Sequence, residues 1–164
     1  MKKLIFFIFF IINSINLFAQ DSVMVELRKL FYMATLSESY MSKVDKYMDE
    51  SEEKIPFESY RAMLLFMEAK YAFNPYTKLN YFKKGRKKME QAIKLYPEDI
   101  ETRFLRLAIQ TKLPSFLGYR GNKQKDKEFL KNHCKHITDK DLRGRLKLFF
   151  KENKILTEEE LKEL

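Results

Sequence analysis

Residues 56–114 read PFESYRAMLLFMEAKYAFNPYTKLNYFKKGRKKMEQAIKLYPEDIETRFLRLAIQTKLP, and this stretch decides the fold. Phe57, Tyr60, Leu64, Met67 and Tyr71 recur at intervals of three and four, which places them on one face of a helix. After a break at Asn74-Pro75, a second face follows at Leu79, Phe82, Met89, Ile93 and Tyr96. Ile100, Phe104, Leu107, Ala108 and Thr111 form a third, closed by Pro114. Two short turns therefore join three helices, a helical hairpin that carries one helix more.

Working outward, composition agrees with a helical core. Of the 164 residues, 45% are hydrophobic and 15% aromatic, enough to pack a core and to argue against disorder. Four Gly and four Pro are too few for the many tight turns of an all-β fold. The length suits one domain.

Upstream, Met1-Lys2-Lys3 gives a positive start, Leu4 to Ile12 is an unbroken apolar run, and Ala19 precedes the expected cut before Gln20. Asn13, Ser14 and Asn16 interrupt the run too early for a membrane span. Residues 1–19 therefore read as a signal peptide for the Sec pathway, and residues 20–164 as a single α-helical domain of a periplasmic or secreted protein. A retained N-terminal anchor is the competing reading of the same residues. Removal of Lys2 and Lys3 with the leader takes the net charge from +9 to +7. That balance favours weak contact with an acidic envelope surface and is no nucleic-acid signature. Cys134 is the only cysteine, so no internal disulfide supports the fold.

Along the exported chain, Asp21 or Ser22 caps a first helix reaching about Asp49, with Ser37 and Ser39 as the place for a bend. Glu50-Ser51-Glu52-Glu53-Lys54 is a polar linker. The next helix, from Pro56 to about Ala72, is apolar on more than one face and so is central. A third runs from about Thr77 to Leu95. Beyond Pro114, helices are expected over about Lys125–Ile137 and Asp139–Glu152. Thr157 and Glu160 form a capping box for a short last helix.

Gly85, Met89, Ala92, Ile93, Leu95 and Pro97 resemble the second helix of a tetratricopeptide repeat. A small residue lets paired helices approach closely, and a proline stops the helix before the next begins. Phe104, Leu107 and Ala108 resemble the start of a following repeat. Strict register would put Pro75 inside the repeat's first helix, which requires a longer turn at Phe73–Tyr76, and no matching helix follows Pro114. The fold class is all-α: an irregular right-handed array of antiparallel hairpins, tetratricopeptide-like over residues 57–114, with about six helices and a short C-terminal one. The chain is also similar to small exported bacterial helical proteins. The resemblance implies partner or peptide binding, with Tyr60, Arg61, Glu68, Arg103 and Arg106 on the inner face.

Other residues compete for a function. Lys83, Lys84, Arg86, Lys87 and Lys88 form a cationic run, either a solvated helix face or a binding surface for an acidic partner, lipid or glycan. Phe116, Leu117 and Tyr119, in the loop that holds Gly118 and Gly121, either tuck against the helices or form a lip for a partner. His133 and His136 lack a third ligand for a metal, and Cys134 is turned about 100° from His133 on a helix, so no thiolate–imidazole pair forms. Asp45 and Asp49 share a face without a pocket. Tyr71, Tyr76, Tyr81 and Tyr96 sit at helical spacing and read mainly as core. Four glycines leave no phosphate loop, and no nucleophile elbow or zinc motif is present. The expected function is a non-enzymatic interaction or scaffold module for a protein or peptide, without cofactor, metal or nucleic acid. The alternative is a small-molecule or lipid carrier with an apolar cavity between the second and third helices.

Overall fold

The computed structural model describes residues 23–51 and 56–164. The leader, the cap at Asp21 or Ser22 and most of the polar linker lie outside the described residues. All regular structure among the described residues is helical. These residues divide into two compact units, 23–51 and 56–164. The change of unit falls at the linker read from composition.

The first unit is a helical pair. Residues 23–36 form α1 and Met41–Glu50 form α2, with a single 3-10 turn at Glu38–Tyr40 between them. The single long helix expected to reach Asp49 is thus broken at Ser37, whose backbone is extended at φ −146° and ψ 128°. Short hydroxyl side chains compete with the helix for local hydrogen bonds. Thr35 Oγ1 donates to the Tyr32 carbonyl at 2.6 Å, and the hydroxyls of Ser37 and Ser39 lie 2.9 Å apart. The chain then folds back, and Tyr47 Oη donates to the Val23 carbonyl at 3.3 Å. Met24, Leu27, Ala34, Met41, Val44 and Met48 are buried.

In the second unit, α3 (Phe57–Tyr71) and α4 (Pro75–Leu95) form a hairpin. Asn74-Pro75 is a helix start rather than part of a long turn. The Asn74 side chain accepts from the backbone N–H of Tyr76 and of Thr77, and Pro75 takes the first helical position, where its missing N–H costs nothing. The helices approach closely at Gly85: a Cβ there would stand 3.2 Å from the Ala62 carbonyl oxygen and 3.2 Å from the Phe66 ring. This is direct contact at the interface where the carrier reading placed its cavity. As read from the sequence, α3 is buried on several faces, through Phe57, Tyr60, Ala62, Met63, Leu64, Phe66 and Met67.

Asp99 caps α5 (Ile100–Lys112) by accepting from the Thr102 N–H at 2.7 Å. This helix touches α3, α4, α6 and α7 and is the hub of the unit. Its buried face differs from the apolar stripe of the sequence. Glu101, Thr102, Arg103, Leu105, Arg106, Leu107 and Gln110 are buried, while Ile100, Phe104, Ala108 and Thr111 are only partly so. Charged side chains go inside only where partners meet them, and a hydrophobicity pattern does not show those partners. Toward α3, Tyr60 Oη donates to Glu101 Oε1 at 2.6 Å, and the hydroxyls of Thr102 and Ser59 lie 3.3 Å apart.

The other side of α5 supports a second core. Leu107 packs with Leu130, Cys134, Ile137, Leu142, Leu146, Phe150 and Leu156, edged by Phe104 and Phe149 with ring centres 5.3 Å apart. These come from α6 (Lys123–Cys134), the turn that follows it, α7 (Lys140–Glu152) and the segment before α8 (Glu158–Lys162). Helix α6 ends at Cys134, three residues short of the expected Ile137, in a turn closed by His136 N to His133 O and Ile137 N to Cys134 O. Asp139 caps α7, and Thr157 with Glu160 forms the expected reciprocal box on α8.

Candidate functional site

Where α4, α5, α6 and the loop after α5 meet, a buried ionic cluster lies beneath a basic cleft. Asp126, on the first turn of α6, is fully buried. A lone carboxylate would be far too costly to bury there, and two guanidinium groups partner it. Arg106 does so with two prongs, Nε to Oδ2 at 2.7 Å and Nη2 to Oδ1 at 2.8 Å. Arg103, one turn earlier on α5, adds Nη1 to Oδ1 at 3.1 Å and lays its guanidinium 4.1 Å from the centre of the Phe129 ring.

The same Arg106 turns Nη1 to Glu90 Oε2 on α4 at 2.9 Å, and Glu90 Oε1 accepts from the Tyr119 hydroxyl at 2.6 Å. Burial works to lower the Arg106 pKa, but its bond to Asp126 and the charges of Asp126 and Glu90 outweigh it, and the guanidinium is held above its ordinary value. The Tyr119 phenol is pushed well above its ordinary value, first by burial and then by its bond to anionic Glu90. Its ring stacks on Phe66 at 6.2 Å and meets the edge of Phe82 at 6.4 Å. Arg86 covers it from outside, 5.2 Å from the ring centre.

Above this cluster is a cleft of about 380 Å³ lined by Leu79, Phe82, Lys83, Arg86, Lys87, Glu90, Phe116 and Leu117. One wall is the outer face of α4. The other is the 3-10 turn Ser115–Leu117, closed by Gly118 at φ 62°, a left-handed conformation that suits glycine. Phe116 is 84% exposed at the lip and Leu79 is 41% exposed on the wall. Lys83, Arg86 and Lys87 lie at helical i, i+3, i+4 spacing, so their stems share one face. Neither Lys83 nor Lys87 pairs with a carboxylate among the described residues.

The structure thus divides the cationic run. Lys83, Arg86 and Lys87 line the cleft. Lys84 lies over the Tyr81 ring at 5.9 Å, and Lys88 bonds Glu58 on α3 at 2.7 Å. The residues assigned to an inner groove by resemblance differ in exposure. Tyr60, Arg103 and Arg106 are buried and hold internal bonds, Arg61 pairs with Glu58 at 3.3 Å, and Glu68 is half-buried on α3. Of the loop read either as tucked against the helices or as a lip, Tyr119 is tucked, 4% exposed and part of the cluster below, whereas Phe116 is the exposed member.

Sequence reading missed Asp126 and Glu90, which sit among many acidic residues of a mixed-charge chain and carry no local mark. The spacing of Arg103 and Arg106 across an apolar helix was the one available signal. His133 Nδ1 lies 2.7 Å from the Phe129 carbonyl with its ring stacked on Phe129, and His136 follows the helix end. No group of three or more metal-ligating side chains is found among the described residues. Burial raises the Cys134 thiol above its ordinary pKa, which disfavours the reactive thiolate. The sequence matches no family model, and no curated protein or solved structure is significantly similar to it.

Proposed function

We propose that this chain is a non-catalytic binding module that holds an acidic peptide segment in the cleft beside α4. The observation that carries the reading is the cleft's lining. Three cations of one helix face stand next to exposed Phe116 and Leu79. Carboxylates of a partner would bond Lys83, Arg86 and Lys87, and one apolar partner side chain would cover Phe116 and Leu117. The paired charges below have a different part: they tie α4, α5, α6 and the Phe116 loop together, so the cleft walls are set before a partner arrives. A cleft of this size takes a short segment rather than a whole domain face, and charge attraction speeds encounter more than it adds affinity.

The close α3–α4 contact at Gly85 and the chain stop after Leu95 support a tetratricopeptide-like reading of residues 57–114. In that reading the partner lies on the outer side of the second hairpin helix rather than in an inner groove. The apolar residues 4–12 and the small residue at Ala19 support export, with the module acting outside the cytoplasm. Among the described residues no helix is long and apolar enough to cross a membrane.

The test is calorimetric titration of the chain from Gln20 onward with a synthetic peptide of alternating Glu and Leu, at low and at high salt. Binding that weakens with salt is expected. Its absence, or binding indifferent to salt, contradicts the reading.

A further inference from the structure

Between Glu68 and Glu90 the chain carries seven Lys or Arg residues and no acidic residue. The turn between α3 and α4 lies in this segment, and every residue from Phe73 to Asn80 is exposed. Phe73 is 101% exposed and Tyr76 82%. Single exposed apolar residues are ordinary, but two large aromatics three residues apart at one hairpin tip form a feature that needs a covering.

The tip is also well ordered by its own bonds. Asn74 Oδ1 accepts from Tyr76 N at 2.8 Å and Thr77 N at 3.4 Å, and Lys78 Nζ donates to the Lys70 carbonyl at 3.2 Å across the turn. The two aromatics therefore stand at a turn braced by hydrogen bonds, with Lys78 beside it and the Lys70 ammonium 4.8 Å from the Tyr71 ring centre. Neither Phe73 nor Tyr76 lines the cleft, whose wall begins one turn further along α4 at Leu79.

We infer that this tip is an interfacial anchor for an anionic lipid bilayer. Phe73 and Tyr76 enter the headgroup layer, and Lys70 and Lys78 meet lipid phosphates around them. Three observations select a bilayer over a protein. Phe73 and Tyr76 are exposed at a tight turn and not set in a groove, so a protein partner would need a matching pocket, while a headgroup layer closes around any small wedge. The chemistry is that of a membrane interface, with amphipathic Tyr and long lysine stems beside an apolar ring. The acid-free run from residue 69 to 89 offers nothing that repels lipid phosphate. Attachment is peripheral, through aromatic wedge and charge together, because either one alone is weak.

The chain has no Trp, so F73W places a single tryptophan reporter at the tip. The chain from Gln20 onward, which keeps every described residue, is mixed with vesicles of pure phosphatidylcholine and of equal parts phosphatidylcholine and phosphatidylglycerol. The expected result is sedimentation with the anionic vesicles only, and a blue shift of F73W emission when they are added. Phe73→Ser with Tyr76→Ser should lower affinity at least tenfold, and each of Lys70→Gln and Lys78→Gln about fivefold. Because both aromatics are exposed, the double serine variant should melt with the wild type, which separates lost anchoring from lost folding. It should also keep its affinity for the Glu-Leu peptide, whereas Lys83→Gln with Lys87→Gln should lose the peptide and keep the F73W shift. Failure to bind anionic vesicles, equal binding to both vesicles, or binding with unshifted F73W emission each overturns the anchor without touching the cleft.

Discussion

Arg106 and Asp126 are joined by two parallel bonds, at 2.7 and 2.8 Å, in the interior of the second unit. One sits on the hub helix α5 and the other on the first turn of α6, twenty residues further on. This fork fixes both distance and angle between the helices, since a planar guanidinium accepts a carboxylate in few orientations. With Glu90 on the remaining face of Arg106, the pair reaches α4 and so the cleft wall. Buried ion pairs contribute little net stability, and their use here is to specify one arrangement of helices.

Removing one partner from such a pair leaves an uncompensated buried charge. Asp126→Ala should therefore cost about 3–5 kcal/mol, read as a lower urea midpoint. Arg106→Met with Asp126→Leu should recover only part of that loss, because Arg103 still loses its bond to Asp126 and Glu90 its bond to Arg106. A small cost for Asp126→Ala would show that the carboxylate is not buried with its partners in solution.

Gly85 lies where α3 and α4 touch. Alanine at this position gains about 1 kcal/mol of helix propensity, but its Cβ would press on the Ala62 carbonyl, which is backbone and cannot rotate away. Overpacking of about 1–3 kcal/mol should exceed the gain. Gly85→Ala is expected to be mildly destabilising and Gly85→Val strongly so, in thermal melts. A stabilised alanine variant would contradict the close approach.

Tyr119 should make stability sensitive to alkali. Its pKa is raised in the folded state, so the folded chain holds the proton more tightly than the unfolded one. The contribution is complete below the unfolded tyrosine value of about 10 and is lost as pH rises above it. Tyr119→Phe should lose about 1.5–3 kcal/mol at neutral pH, with the bond to Glu90, and should show a shallower fall above pH 10. Urea midpoints of both proteins across that range decide it; parallel curves would exclude Tyr119 as the source.

Gln110 is fully buried on α5, and neither its Nε2 nor its Oε1 finds a hydrogen-bond partner. An amide in that position carries its desolvation cost without return, so Gln110→Met, similar in length and apolar, should raise stability by about 1 kcal/mol. A loss on substitution would instead indicate a bound water on the amide.

Much of this fold was legible from spacing and punctuation. Pro114, the Asn74-Pro75 break and the Thr157–Glu160 box all mark chain features that depend on neighbours a few residues away. So does the polar run that begins at Glu50, which falls where the two units divide. The break at Ser37 was visible only as a possible bend, because the hydroxyl bonds that end α1 compete closely with helix continuation. The site was less legible. The cationic run at residues 83–88 was apparent, but its division depended on where Tyr81, Glu58 and Phe116 stand in space. Arg103 and Arg106 of the inner-face set are outward residues by composition and become buried through Asp126, which no periodicity links to them.

The most direct measurement compares two charge-matched variants for the Glu-Leu peptide by calorimetry: Lys83→Gln with Lys87→Gln, which strips the cleft, and Lys84→Gln with Lys88→Gln, which removes the same charge from the same helix away from it. A cleft that binds acidic segments predicts at least a tenfold loss of affinity in the first and less than a threefold loss in the second. Equal losses in the two would contradict it, since the peptide would then respond to the net charge of α4 and not to the cleft.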